Sequence, residues 1–146
     1  MGSSNVVVAA GFIIFRRITN LMKTEYLLLK ASYGDYHWSP PKGHVDEGES
    51  EFETALRETQ EEAGFTREQL CVVDGFKYVL NYEVRGKPKR VEYWLAEFTG
   101  QTEVKLSNEH TEYKWLELKE ALEFAKYEDL KKSLTEADEF INSRLS

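Results

Sequence analysis

Gly43-His44-Val45-Asp46-Glu47-Gly48-Glu49-Ser50-Glu51-Phe52-Glu53-Thr54-Ala55-Leu56-Arg57-Glu58-Thr59-Gln60-Glu61-Glu62-Ala63-Gly64-Phe65 is the stretch around which the rest of the chain reads. Ser50 followed three residues later by Glu53 forms a capping box, which predicts a helix beginning at Glu51. Gly64 suits the left-handed position just past a helix end. About thirteen residues lie between, roughly 20 Å of helix at 1.5 Å per residue. Phe52, Ala55, Leu56, Thr59 and Ala63 share one side and are expected to face a core. Glu58, Glu61 and Glu62 stand at i, i+3 and i+4 and share another side.

Carboxylates crowded on one helical face repel, by roughly a few tenths of a kcal/mol per pair. Two readings follow. Such a face is either simply solvated or a site for a hard cation. Mg²⁺ takes oxygen ligands, uses few carboxylates, and leaves positions for water and substrate phosphates. Helix composition alone does not choose between these readings.

Length and composition bound the answer. The 146 residues suit one compact unit with a real core, and 41% apolar with 31% charged residues is ordinary for a globular chain. No run of apolar residues is long enough to span a bilayer, so no membrane association is expected. The start, Met1 to Val6, lacks the pattern of a secretory signal, and Val6 breaks the myristoylation motif that Gly2 begins. Residues 1–5 are expected to be disordered or partly vector-derived. The single cysteine, Cys71, excludes an internal disulfide and fits a reducing compartment, the cytoplasm or the nucleus. Its apolar surroundings predict a buried position. A net charge of −7 argues against binding nucleic acid polymers over a broad surface. A small polyanionic substrate would therefore need local basic residues and metal ions.

Val6 to Phe15 reads as a central strand in which Gly11 marks a bulge or a close backbone approach. Arg16 to Lys23 reads as a polar turn and Glu25 to Ala31 as a second buried strand. The loop Ser32 to His44 is dense in aromatic and basic residues, and Pro40-Pro41 stiffens it. It is either an ordinary surface loop anchored by Trp38, or a loop that turns His37, Lys42 and His44 towards phosphates. Leu70 to Tyr82 reads as one extended stretch, Arg85-Gly86-Lys87-Pro88 as a turn, and Lys89 to Phe98 as the returning strand. Arg85, Lys87, Lys89 and Arg90 supply local positive charge; they either grip an anion or protect a strand edge. Gly100 to Thr111 reads as a connection and Glu112 to Leu116 as a strand. Two helical patterns follow, from Leu118 and from Leu130, the second with a break near Thr135. Tyr127, between them, either packs inward or offers its ring to a ligand.

The opening stretch fills every fixed position of the Nudix signature, G-x5-E-x7-R-E-U-x-E-E-x-G-U, where U is usually aliphatic; the U positions hold Thr59 and Phe65. The chain thus resembles the Nudix hydrolases. Further segments resemble one branch, the asymmetrical diadenosine tetraphosphate hydrolases of animal type. These are His37-Trp-Ser-Pro-Pro-Lys-Gly-His44, Gly86-Lys-Pro-Lys89, Glu92-Tyr-Trp-Leu-Ala96 and Leu106-Ser-Asn-Glu-His110. Ser39 and Asn108 depart from that branch, where Thr and His are common.

The resemblance implies an α/β (α+β) class with a Nudix fold: a mixed β-sheet sandwiched between helices, α/β/α, as one domain over 1–146. It implies a monomer that cleaves diadenosine tetraphosphate to ATP and AMP by in-line attack of water, with more than one Mg²⁺ (or Mn²⁺) ion. The metal set it implies is Glu58, Glu61, Glu62 and Glu109, with Glu61 either a ligand or the base. The catalytic set is Glu58 and Glu61, assisted by Arg57, Lys42 and His37. Gly43, Glu49 and Gly64 are structural, Glu49 pairing with Arg57 to orient the carboxylates. Tyr82 and Tyr127 would sandwich an adenine. Tyr33, His37, Lys42, His44, Arg85, Lys87 and Lys89 would line the phosphate path. Two alternatives stay open: a Nudix pyrophosphohydrolase acting on RNA 5′ ends or nucleoside triphosphates, and a nucleotide-polyphosphate binding module without turnover.

Overall fold

The computed structural model describes residues 6–144, so the expectation for residues 1–5 lies outside the described residues. Strand β1 (Val7–Ile18) runs through the middle. It pairs antiparallel with β2 (Lys23–Ala31) and with the short β4 (Lys42–His44), and parallel with β7 (Lys87–Phe98). Outward from β2 lie β3 (Trp38–Ser39) and β8 (His110–Leu116), both antiparallel. On the far edge of β7, β5 (Leu70–Val72) pairs with its end and β6 (Tyr78–Val84) with its beginning. The sheet is mixed, as expected.

A strand covered on both faces must be apolar at successive positions, which is why Ala9 to Phe15 reads as an almost unbroken hydrophobic run. Ala9, Ile13 and Phe15 face one core, closed by Ala121 of α2 (Leu118–Phe124) and by Leu130, Leu134, Ala137 and Ile141 of α3 (Glu128–Arg144). Ala10, Phe12 and Ile14 face the other core, closed by Ala55 and Ala63 of α1 (Glu51–Ala63). The result is the α/β/α sandwich. Helix α1 starts and stops where its local chemistry dictates: Ser50 and Glu53 make both capping-box bonds, and Gly64 is left-handed at φ 78.

Gly11 marks a close approach. A Cβ there would collide with the Pro41 carbonyl and Lys42, so the glycine lets β4 lie against β1. This seats the Lys42–His44 strand in the sheet beside β1, next to α1.

Several expectations are corrected. Arg16 to Lys23 is not a turn: β1 continues to Ile18 because Arg16 pairs with Glu25 at 2.7 Å and Arg17 with Glu97 at 2.8 Å. The reversal is a single 3-10 turn at Thr19–Leu21. Leu70 to Tyr82 is two strands separated by a turn with Gly75 at φ 91. Cys71 is exposed, because Leu70 and Val72 take the core side of a short edge strand and alternation turns Cys71 outward. Helix α3 is unbroken at Thr135, whose hydroxyl donates to the Lys131 carbonyl at 2.9 Å within the helix. Strand β8 starts two residues early, at His110.

Thr59 sits fully buried on the inner face of α1, and its hydroxyl finds no hydrogen-bond partner among the described residues. An unsatisfied buried hydroxyl costs about 1–3 kcal/mol. Thr59→Val, nearly isosteric, is predicted to raise the melting temperature by about 2–4 °C per kcal/mol gained in a chain of this size. Thermal unfolding followed by circular dichroism tests this; an unchanged or lower midpoint contradicts it.

Candidate active site

Helix α1 lies against β4 closely enough that a Cβ on Gly43 would fall on the Glu58 carboxylate. The glycine therefore makes room for a carboxylate beside the sheet. The loop between β4 and α1 is tied to the helix by Arg57. Its Nε donates to Glu49 Oε2 at 2.8 Å and its Nη2 to Glu49 Oε1 at 3.0 Å, a two-pronged pair. Nη2 also reaches the His44 carbonyl at 3.1 Å and Asp46 at 3.3 Å. Nη1 donates to Glu58 at 2.9 Å and to both oxygens of Glu61 at 3.3 Å.

The three helix carboxylates differ in surroundings. Glu61 is exposed. Glu58 is half-buried, and burial raises its pKa while Arg57 opposes the rise. Glu62 is only 5% exposed and accepts from the Lys42 amide at 3.1 Å. Burial holds its carboxyl well above the usual range, and the charge of Glu58 adds to that. His110 Nε2 lies 3.9 Å from Glu62. Glu109 sits where β8 begins, its carbonyl accepting from the Ser32 amide at 2.8 Å.

Of the expected metal set, Glu58, Glu61 and Glu62 stand on one face of α1 and Glu109 just before β8. Glu58 and Glu61 turn towards Arg57, and Glu62 towards the Lys42 amide.

Next to this face opens a cavity of about 500 Å³. Tyr33, His37, Lys42, Tyr82, Lys89 and Tyr127 line it, bringing together six residues singled out from the sequence. Tyr82 and Lys89 are cross-strand partners in the β6–β7 hairpin, with the Lys89 ammonium 5.9 Å from the Tyr82 ring centre. The Lys42 ammonium is depressed by burial and by the neighbouring charge of Lys89; Glu62 and Glu58 counter this. Burial also lowers His37.

The wall does not include His44, Arg85 or Lys87. His44 is exposed on β4, while Arg85 occupies the left-handed hairpin turn at φ 53. Lys87 lies two residues nearer the tip than Lys89, about 7 Å further along the strand.

Other residues of the site went unnoticed in the sequence. Glu128 and Asp129, one and two residues past Tyr127, line the cavity, as does Glu83, next to Tyr82. Asp35 was missed as well. It accepts from Lys126 Nζ at 2.7 Å and the Tyr127 hydroxyl at 2.9 Å, and lies 3.0 Å from His37 Nδ1.

The family model described as the NUDIX domain matches residues 7–137. The chain belongs to the Nudix family. A rat bis(5′-nucleosyl)-tetraphosphatase [asymmetrical] is 53% identical over 140 residues, covering 92% of this chain and 95% of that protein. The Caenorhabditis elegans protein of the same name is 47% identical over 136 residues, covering 93% and 97%. Among solved structures, the binary complex of a C. elegans Ap4A hydrolase superposes with a TM-score of 0.90 at 46% identity, covering 94% of this chain and 98% of that one. The Nudix signature residues thus stand in a Nudix fold: Gly43 on β4, Glu49 on the loop after it, Arg57, Glu58, Glu61 and Glu62 on α1, and Gly64 at its C-cap. At the two variable signature positions, Thr59 is buried and Phe65 stacks on Phe98 with ring centres 4.0 Å apart.

The bonds from Arg57, then Thr54, push the Glu49 carboxyl down to about 2 from an ordinary 4.5. A depressed carboxyl contributes stability above its unfolded pKa and loses it as pH falls through the folded value. Glu49→Gln is therefore predicted to melt lower than the wild type at pH 7. The gap should narrow as pH falls from 4.5 towards 2. Melting curves of both proteins across that window decide it; a gap that stays constant contradicts the Arg57–Glu49 linkage.

Proposed function

We propose that this chain hydrolyses diadenosine tetraphosphate and related dinucleoside polyphosphates asymmetrically, giving ATP and AMP from the tetraphosphate. The observation that carries the reading is the cavity itself. It joins two tyrosine rings to two lysines and a histidine, beside the carboxylate face of α1. Relatives named for this activity, alike over nearly their whole length, support it.

On this reading Tyr82 and Tyr127 take one adenine by stacking, worth about 1–3 kcal/mol per base and tolerant of base identity. Lys42, Lys89 and His37 hold the phosphate chain, and Tyr33 borders it. Water attacks one phosphorus in line; its oxygen bonds to that phosphorus as the opposite anhydride bond breaks. A carboxylate of the Glu58–Glu61–Glu62 face takes the proton released. Arg57 fixes the Glu58 carboxylate, and Glu49 fixes Arg57. Positioning and charge stabilisation supply most of such a rate enhancement.

Nudix hydrolases generally use divalent metal ions. The donor set here fits a hard cation: Glu58 and the buried Glu62 are oxygen ligands whose carboxyls are both raised by burial, and a dication would favour their ionised forms. Glu58 and Glu62 would hold Mg²⁺ or Mn²⁺ directly, with Glu61 and Glu109 completing the set and leaving room for more than one ion. Bound there, the metal would supply phosphoryl charge neutralisation and a more acidic water.

Product analysis tests the reading. With Mg²⁺ the protein is expected to convert diadenosine tetraphosphate to equimolar ATP and AMP, and chelation should abolish turnover. Glu58→Gln should remain folded and lose about 10²–10³-fold in kcat, the scale of one preorganised charged group. Two ADP as products would mean that the attacked phosphorus is misassigned. Near-normal turnover by folded Glu58→Gln would remove Glu58 from the metal set.

A further inference from the structure

Two segments far apart in sequence contribute to the wall of the cavity: the loop Ser32–His37, through Tyr33 and His37, and the junction between α2 and α3, through Tyr127. The side-chain hydrogen bonds that join them both end on the carboxylate of Asp35, which spans 91 residues to Lys126 and 92 to Tyr127. We propose that Asp35 is a positioning residue for substrate, clamping the loop to the junction so that the Tyr127 ring and the free nitrogen of His37 are set in the cavity. This rests on the reading of that cavity as the dinucleoside polyphosphate site.

The chemistry of the clamp is specific. An ionised carboxylate only accepts hydrogen bonds. With Asp35 Oδ1 3.0 Å from His37 Nδ1, the ring's first proton belongs on Nδ1, and Nε2 faces the ligand, where a second proton lets the imidazolium donate to a phosphate. The other oxygen, Oδ2, takes both the Lys126 ammonium and the Tyr127 hydroxyl. These bonds hold the Asp35 carboxyl well below the usual carboxylate range, so it stays charged at neutral pH. The Tyr127 ring, anchored at its hydroxyl, meets the His37 ring edge-on at 6.1 Å and 67°. Two ligand-facing rings are thus oriented by one side chain that does not itself line the cavity.

The base of the loop is held by backbone bonds, the Ala31 amide to the His37 carbonyl at 2.9 Å and the Ser32 amide to the Glu109 carbonyl at 2.8 Å, which leave its tip untied. It is a turn closed by the Tyr36 amide to the Tyr33 carbonyl at 3.1 Å. Gly34 is left-handed at φ 63, and so is Tyr36 at φ 55, a costly conformation for a bulky residue. Tyr33 and Tyr36 are 55% and 58% exposed, so burial of their rings does not fix the turn. The charge-assisted bonds of Asp35 tie the tip to the junction between α2 and α3.

Asp35→Asn tests this, with Asp35→Glu as the conservative variant that keeps the charge. The first readout needs no turnover: imidazole ¹⁵N shifts of His37 in the ligand-free protein. The wild type should show the Nδ1–H form, Asp35→Asn should move towards the Nε2–H form, and Asp35→Glu should restore Nδ1–H at least in part. The second readout is kinetic. Asp35→Asn should raise KM for diadenosine tetraphosphate about tenfold, one charge-assisted hydrogen bond's worth, with a smaller change in kcat. Asp35→Glu should recover most of that loss. Unchanged His37 shifts in Asp35→Asn overturn the clamp; a changed tautomer with an unchanged KM overturns its service to substrate. Failure of the wild type to cleave the substrate at all defeats the functional reading instead, and the ¹⁵N shifts then still decide the clamp.

Discussion

The site depends on a single guanidinium. Glu58, Glu61 and Glu62 would repel one another on one helical face by roughly a few tenths of a kcal/mol per pair. Arg57 donates to Glu49, Glu58 and Glu61 and so places a positive charge among carboxylates that would otherwise face only one another. Its planar fork matters as much as its charge, because a lysine could not hold both oxygens of Glu49 while also reaching the His44 carbonyl. The loop before α1 and the carboxylates on α1 are thereby one rigid unit. That unit reaches the sheet through two absent side chains: Gly11 admits β4 to β1, and Gly43 admits Glu58 to β4.

What the sequence disclosed followed from how local each signal is. Helix α1 was readable to the residue, since both caps are written within it as Ser50, Glu53 and Gly64. The division of β1 between two cores was visible only as an apolar run, and its true end was hidden because Arg16 and Arg17 find their partners at Glu25 and Glu97 on other strands. Cys71 looked buried for the same reason: its neighbours are apolar, but a short edge strand shows only alternate residues to the core. At the cavity, Tyr82 and Lys89 come together because a hairpin pairs them, whereas Lys87, close to them in the chain, falls nearer the tip. Asp35 left no signal, as its partners lie more than ninety residues away.

The electrostatics explain how an acidic chain can take a polyanion. With a net charge of −7, the long-range field repels such a ligand. The cavity opposes this with groups whose positive charge is disfavoured there: Lys42 is lowered by burial and by Lys89, Lys89 by burial, and His37 by burial and by both lysines. That mutual strain is tolerable because the surrounding fold is overdetermined by two cores. It also defines what the cavity favours, for a polyphosphate is the class of ligand that relieves all three at once. Carboxylates sit at both ends of the arrangement, Glu58 and Glu62 near Lys42, and Glu128 and Asp129 beside Tyr127. Anionic charge is therefore welcome only along the stretch between them. On the proposed reading, a dinucleoside chain seated there would have its phosphates over Lys42, Lys89 and His37 and one base against Tyr82 and Tyr127, which would fix the direction in which it lies. Asymmetric cleavage needs such a fixed direction: a grip on one nucleoside measures the distance along the chain to the phosphorus that meets the carboxylate face.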